Sequence, residues 1–393
     1  MRPTSPNAQL FLATMAFALS FAVWGLLGAL APILRRELDL TQTQVSLLVA
    51  VPVLIGSLGR LPMGLLADRI GGRRLMGLLL VLAFIPAAGV ALSDSYSALL
   101  FWAFILGVAG TTFSVGVAFT SKWFAPERQG TALGIFGAGN IGQSIAVFFG
   151  PRLAAAWGDW SHVVWLFGAL SLLWGVVFWV FARDARPGVP SSLGKMLGVL
   201  GRSPRAWLLS LFYFVTFGGF VAMGVYLPTL LTSRYGLTLS DAGLRAAGFV
   251  VLATVMRPVG GALADRVGGA RVLVGVYAIV VLAALLLIPA GLVTFTVGAL
   301  SFAFAVGLGN GAVFKLVPEL FPAETGTVTG LVGAFGGLGG FFPPLILGVL
   351  LDLTGSYALG FVALAVLAGI CGLLALGLAR SSHAALTPSV QKG

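Results

Sequence analysis

Twelve stretches of the chain are apolar and nearly free of charge: 8–34, 43–67, 75–93, 96–121, 129–151, 162–182, 206–232, 243–264, 272–291, 294–314, 326–351 and 356–379. Each is about 18 residues or longer, enough to cross a hydrocarbon core as a helix. Backbone in lipid must satisfy its own hydrogen bonds, and a helix does so. The expected fold is an all-α membrane protein with twelve transmembrane helices. Composition agrees, since 59% of residues are hydrophobic and 9% charged, against roughly 25% charged in soluble domains. Glycine supplies 55 of 393 residues, which suits helices packed through small side chains.

Several functions are excluded early. Cys371 is the one cysteine, and His162 and His383 are far apart, so no metal cluster and no cofactor are expected. The net charge of +11 lies mostly in short loops at helix ends, which argues against nucleic acid. No nucleophile–base pair or phosphate loop points to an enzyme, and no soluble signalling domain points to a receptor. The first apolar run is long and others follow it, so no cleavable leader is expected.

One long polar connection, 183–205, separates residues 1–182 from 206–380 and reads as a linker between two six-helix halves; 381–393 is a short tail. With both termini on one side, that side carries sixteen Lys and Arg and the opposite side five. The positive-inside rule then places termini, linker and tail in the cytoplasm. The expected location is the inner membrane, multi-pass, in the bilayer and as a monomer.

The halves repeat each other. GRLPMGLLADRIGGRR (59–74) matches MRPVGGALADRVGGAR (256–271) with an offset of 197, from Asp68 to Asp265 (265 − 68). A second pair, APERQGTALGIFG (125–137) and FPAETGTVTGLVG (321–333), matches with an offset of 196 (333 − 137). Spans two and eight therefore correspond, and so do five and eleven. Parallel halves around a midplane site are the plan of many secondary transporters.

Arg60 and Arg257 occupy the same place in the two copies, eight residues before each loop acid (68 − 60 and 265 − 257). That is a rise of about 12 Å, near mid-membrane. An arginine there costs at least a few kcal/mol. Pairing with a buried acid fails on inventory, because all twelve acids lie at or near helix ends. Two unpaired cations facing one cavity call for an anion from outside. A planar guanidinium fork suits a planar oxyanion. With no titratable Asp, Glu or His in the pathway, exchange of one anion for another is expected rather than proton coupling.

In span eleven, Gly326, Gly330, Gly333, Gly337 and Gly340 share one helical face, and Gly130, Gly134 and Gly137 begin the same stripe in span five. Such stripes pack helices closely. They also let bare backbone approach a small ligand and let helices slide. Asn140, beside the second stripe, reads equally as an interhelical hydrogen bond or a ligand donor.

The loop GLLADRIGGRR resembles the loop between helices two and three of the major facilitator superfamily. Asp68, Arg69 and Arg73 fit it, and Asp265 and Arg266 are the second copy. That resemblance implies a cytoplasmic latch between the halves. GLGNGAVFKLVP (307–318) with GLVGAFGGLGGFFPP (330–344) looks like the second nitrate signature of the nitrate/nitrite porter family. GTALGIFGAGNIGQS (130–144) looks like the first, and WLLSLFYFVTFGGF (207–220) is similar to the family's seventh helix. The resemblance covers all twelve spans. It implies the major facilitator fold, two pseudo-symmetric six-helix halves, and an anion held by one arginine from each half, positions matched by Arg60 and Arg257. It also implies roles for Tyr213, Asn140 and Asn310, and aromatic faces for a flat anion, for which Phe217 and Phe113 stand. TTFSVGVAF around Phe113 departs from the family's Gly-Asn-rich run, so Thr111 or Thr112 takes the place of an asparagine there. The sequence thus reads as a nitrate/nitrite transporter working by alternating access, with exchange first, and proton symport or another small monovalent anion as alternatives.

Overall fold

A computed structural model of the chain describes residues 5–125, 132–133, 135–185, 203–289, 291–321 and 325–384, with single residues at 194 and 198. Among them the regular elements are all helices. Eleven helical stretches, some joining consecutive elements across a turn, are long and apolar enough to cross a membrane. The fifth expected span, 129–151, lies partly outside the described residues; it is helical at 132–133 and 135–137 and again from Ile141.

The helices are α1 (Pro6–Glu37), α2 (Gln42–Leu58), α3 (Arg60–Ile70), α4 (Gly72–Leu82), α5 (Phe84–Ala91), α6 (Tyr96–Leu106), α7 (Thr112–Ser121), α8 (Ile141–Trp157) and α9 (Trp160–Phe181). A second set follows: α10 (Pro204–Tyr235), α11 (Leu239–Val267), α12 (Gly269–Leu286), α13 (Leu292–Leu320), α14 (Thr325–Leu338), α15 (Phe342–Thr354) and α16 (Ala358–Ala384). Within the first set α1 packs on α8 and α9; within the second α13 packs on α11 and α12. The sets meet where α8 lies on α11, α2 on α14 and α15, and α1 on α10. Burial covers 72% and 78% of the most apolar stretches of α1 and α10 but 22% in α16, so α1 and α10 line the centre and α16 faces outward. Outward-facing Leu173 and Leu373 remain exposed, as lipid contact requires.

The internal repeat is written in the backbone. Thr41 caps α2 by accepting from the Gln44 amide, and Thr238 caps α11 by accepting from the Asp241 amide. Gly71 and Gly268 end their helices with φ of 93° and 92°, a region that favours glycine. Gly158 and Gly355 end theirs with φ of 71° and 69°. Each pair is 197 residues apart (238 − 41, 268 − 71, 355 − 158).

Several spans that periodicity predicts as unbroken are interrupted. Span two turns at Gly59, and span four tightens to a 3-10 turn over Gly107–Thr111. Span five does so over Ala138–Asn140, and span eleven breaks between Leu338 and Phe342. Glycine contacts explain two of these breaks. A Cβ on Gly107 would stand 2.7 Å from the Pro52 carbonyl, and one on Gly339 would overlap the Phe214 carbonyl.

Hydrogen bonds lace the two sets together at the end that holds the 38–41 and 236–238 connections. Gln42 Nε2 donates to the Tyr226 hydroxyl at 2.8 Å, and Ser46 Oγ lies 3.3 Å from it. Arg35 Nη1 donates to Ser233 Oγ at 3.2 Å, and the Thr43 amide to Asp352 Oδ2 at 2.8 Å. Arg152 Nη2 reaches the Ser240 carbonyl at 2.9 Å. Replacing Tyr226 by phenylalanine leaves buried Gln42 without that acceptor. The seal should weaken by about 1–3 kcal/mol, read as faster amide exchange in 42–46 and 226–233 with helix content unchanged.

Candidate anion-binding site

The site is built where α2 is pressed against the 3-10 turn of span four. A Cβ on Gly56 would stand 3.0 Å from the Gly107 carbonyl, and one on Gly59 would stand 2.7 Å from Thr111 Cγ2. This contact delivers Arg60, the first residue of α3, to the turn. Its Nε lies 3.5 Å from the Gly110 carbonyl, at the limit of a hydrogen bond. Its Nη1 donates to the Gly333 carbonyl of α14, across the seam between the sets, at 3.1 Å. Arg60 is 4% exposed, too buried to point at lipid.

Arg257, on α11, is half-buried. Its Nη2 donates to the Tyr213 hydroxyl at 2.8 Å. Tyr213 stacks on Phe217, one helical turn along α10, with centroids 4.9 Å apart and planes 6° apart. Phe217 is the shared surface: its centroid is 5.3 Å from Arg60 Cζ and 5.7 Å from Arg257 Cζ. Phe113 faces it at 6.4 Å and 27°, with Arg60 Cζ 5.2 Å from its centroid. The two rings thus stand as near neighbours with the Arg60 guanidinium beside both.

Among the described residues neither arginine forms an ion pair; the recorded pairs are His162–Asp159, Arg245–Asp241 and Lys315–Asp265. Carbonyl oxygens, one hydroxyl and ring faces are what hold them. Such contacts lower the cost of burying a cation, each ring by about 0.5–2 kcal/mol, and leave its positive charge in place. The cluster can therefore attract, flank and stack a small flat anion.

The structure thus brings Arg60, Arg257, Tyr213, Phe217 and Phe113 together. Asn140, at the end of its 3-10 turn, and Asn310, on α13, are 1% and 2% exposed, and each side-chain oxygen has no partner. Both threonines bond within their own turn, Thr111 to Val108 and Thr112 to Ala109. Two neighbours were missed by sequence reading. Phe314, four residues after Asn310, meets Tyr213 edge-on at 4.9 Å and lies 5.6 Å from Arg257 Cζ. Gly336 lies so close to Tyr213 that a Cβ would overlap its ring.

The Major Facilitator Superfamily model matches residues 12–342 and 235–392. A nitrite extrusion protein of Bacillus subtilis (strain 168) is 40% identical over 361 residues, 91% of each chain. The probable nitrate/nitrite antiporter NarK1 of Thermus thermophilus is 40% identical, over 92% of this chain and 89% of its own. The chain belongs to the nitrate/nitrite porter family of the Major Facilitator Superfamily. This major facilitator fold also resembles a bacterial homolog of the human lysosomal transporter Spinster, solved in an inward-facing and occupied conformation. That match has a TM-score of 0.73 at 18% identity and covers 96% of this chain and 98% of that one.

In this porter Gly333, Gly337 and Gly340 of the span-eleven stripe lie at the seam. A Cβ on Gly340 would stand 2.6 Å from Val221 of its own half and 3.0 Å from Val53 across the seam, one on Gly337 would press on Ser57 and Arg60, and one on Gly333 would meet Phe113 at 4.0 Å. Gly330 and Gly326 lie on the same helix, α14, while Gly137 has open space beside it. Gly130 and Gly134 lie outside the described residues, as does the side chain of Asp68. Of the other latch residues, Arg69 and Arg266 are exposed. Arg73 donates to the Trp179 carbonyl, and its amide to Asp184 Oδ1 at 2.9 Å. Asp265 pairs with Lys315 at 2.7 Å. None of these bonds crosses from one half to the other in the conformation seen, and the one to Asp184 ties the first half to the start of the 183–205 connection.

Proposed function

We propose that the chain carries nitrate and nitrite across the inner membrane by alternating access, exchanging one for the other. The observation that carries this reading is one guanidinium from each half flanking Phe217, with no carboxylate partner among the described residues. The names of its relatives point the same way. Arg60, Arg257, Tyr213, Asn140 and Asn310 hold the anion, and Phe113 and Phe217 stack on it. Residues 1–182 and 206–380 are the moving halves, joined by 183–205 on the cytoplasmic face, with both termini there. The glycines of spans five and eleven let the halves slide, and the loops at Asp68 and Asp265 latch the cytoplasmic end when it closes. It works as a monomer, and it is a carrier rather than an enzyme.

The chemistry follows from the charges. An arriving oxyanion offers Arg60 a charged acceptor in place of the neutral Gly333 carbonyl, and charge-assisted bonds are about twice as strong as neutral ones. The anion then neutralises charge from both halves and allows them to close around it. Without it, two guanidinium groups oppose closure, so the empty carrier returns slowly and exchange is obligatory. Conformations interconvert only as far as the ligand favours one over the other.

Nitrate uptake into proteoliposomes preloaded with nitrite, with nitrate or with inert buffer tests this. Uptake that needs an internal anion supports exchange. Equal uptake in all three, with acidification of the lumen, shows proton symport instead. Competition by formate as strong as by nitrite would reassign the substrate to another small anion.

A further inference from the structure

Gln143 is a fully buried side chain that the site does not use. It is 0% exposed, and neither its Nε2 nor its Oε1 has a hydrogen-bond partner. Among the described residues it alone contributes two such atoms. Burying a primary amide with nothing to bond to forfeits its hydration on both sides. A leucine or methionine would fill the same space without that cost.

The amide sits in a notch cut by two glycines. A Cβ on Gly25 of α1 would stand 3.0 Å from its Cγ, and one on Gly224 of α10 would stand 2.7 Å from its Nε2. Gln143 and Gly25 belong to one half and Gly224 to the other, so the head group crosses the seam. Next to it, Ser144 Oγ donates to the Ala247 carbonyl at 2.9 Å, also across the seam. The notch lies between the anion cluster and the sealed end. Along α10, Gly224 falls between Phe217 and Tyr226. Along α8, Gln143 falls between Asn140 and Arg152, whose guanidinium bonds Ser240 at the seal. From Asn140 to Gln143 is a rise of about 4.5 Å, a little under one turn.

We propose that Gln143 is a second, transient donor for the transported anion, used when the end sealed here is open. Separation of α1 and α10 at that end exposes the amide. Its N–H groups receive an acceptor-only oxyanion entering from that side, just under one turn before Asn140 and the arginine pair. This role rests on the anion-carrier reading above. It also explains why the amide is left orphaned in this conformation, because its partner is the ion, present in the opposite one.

The test is sided transport of nitrate by Gln143→Leu, with Gln143→Met as a second variant free of a branch, in right-side-out and inside-out membrane vesicles. The expected result is a KM raised about tenfold at the face sealed here, the loss of one hydrogen bond to an ion. At the other face KM stays within about twofold, and equilibrium nitrate binding persists. Unchanged KM at both faces, or equal rises at both, overturns the role. So does a fall at one face matching the rise at the other, which reports a shifted conformational balance. Wild-type vesicles that move no nitrate or nitrite set aside the anion reading itself, an outcome distinct from symmetric KM values in a variant whose wild type transports.

Discussion

Replacing Arg60 by lysine is expected to weaken nitrate binding about a hundredfold and to stop exchange, with the protein still folded. The ammonium keeps the charge but loses the planar fork that reaches the Gly110 and Gly333 carbonyls and lies beside two rings. Loss of a bidentate ionic contact is worth about 3 kcal/mol, and 1.4 kcal/mol is tenfold in affinity. Arg257→Lys should do less. Arg257 is half-buried and donates to one side chain, Tyr213. Calorimetric titration of detergent-purified protein with nitrate measures both. An affinity within threefold of the wild type in Arg60→Lys would remove that residue from the site.

The second large effect belongs to a single methyl group. Gly336→Ala places a Cβ inside the Tyr213 ring, whereas Gly333→Ala meets Phe113 at 4.0 Å, an ordinary contact. The tyrosine must swing away, breaking its bond to Arg257 and its stack on Phe217. Overpacking of this kind costs about 1–3 kcal/mol. Exchange in Gly336→Ala should fall at least tenfold, since about 1.4 kcal/mol is tenfold, with a lower Tm, while Gly333→Ala stays near wild type. Similar rates for the two alanines would show that Tyr213 does not have to hold its place.

How far the site could be read in the sequence follows from which residues are costly in lipid. Arg60 and Arg257 stand out because a cation in an apolar run demands a reason, and duplication fixes their equivalence. Repetition also carried the architecture: the caps at Thr41 and Thr238 and the helix ends at Gly71 and Gly268 match in the folded backbone. Phe314 and Gly336 could not be distinguished in this way. An aromatic ring or a glycine in an apolar helix looks the same whether it meets lipid, a neighbour or a ligand. The inequality of the two arginines was equally invisible, because it arises from the tightened turn at Gly107–Thr111 and the break after Leu338. Both come from backbones in contact, which a period of apolar residues does not encode.

Phe217 rides on α10 in one half, yet its ring also lies beside the guanidinium of Arg60 in the other. A hydrogen bond is lost with a modest change of angle, whereas a charge above an aromatic face is held by a broad electrostatic well. The Phe217 contact can therefore serve as a pivot as the halves turn, even where the bond from Arg60 to the Gly333 carbonyl breaks. At the rim, the clasp formed by Gln42, Tyr226, Thr43 and Asp352 has to open before that end can part.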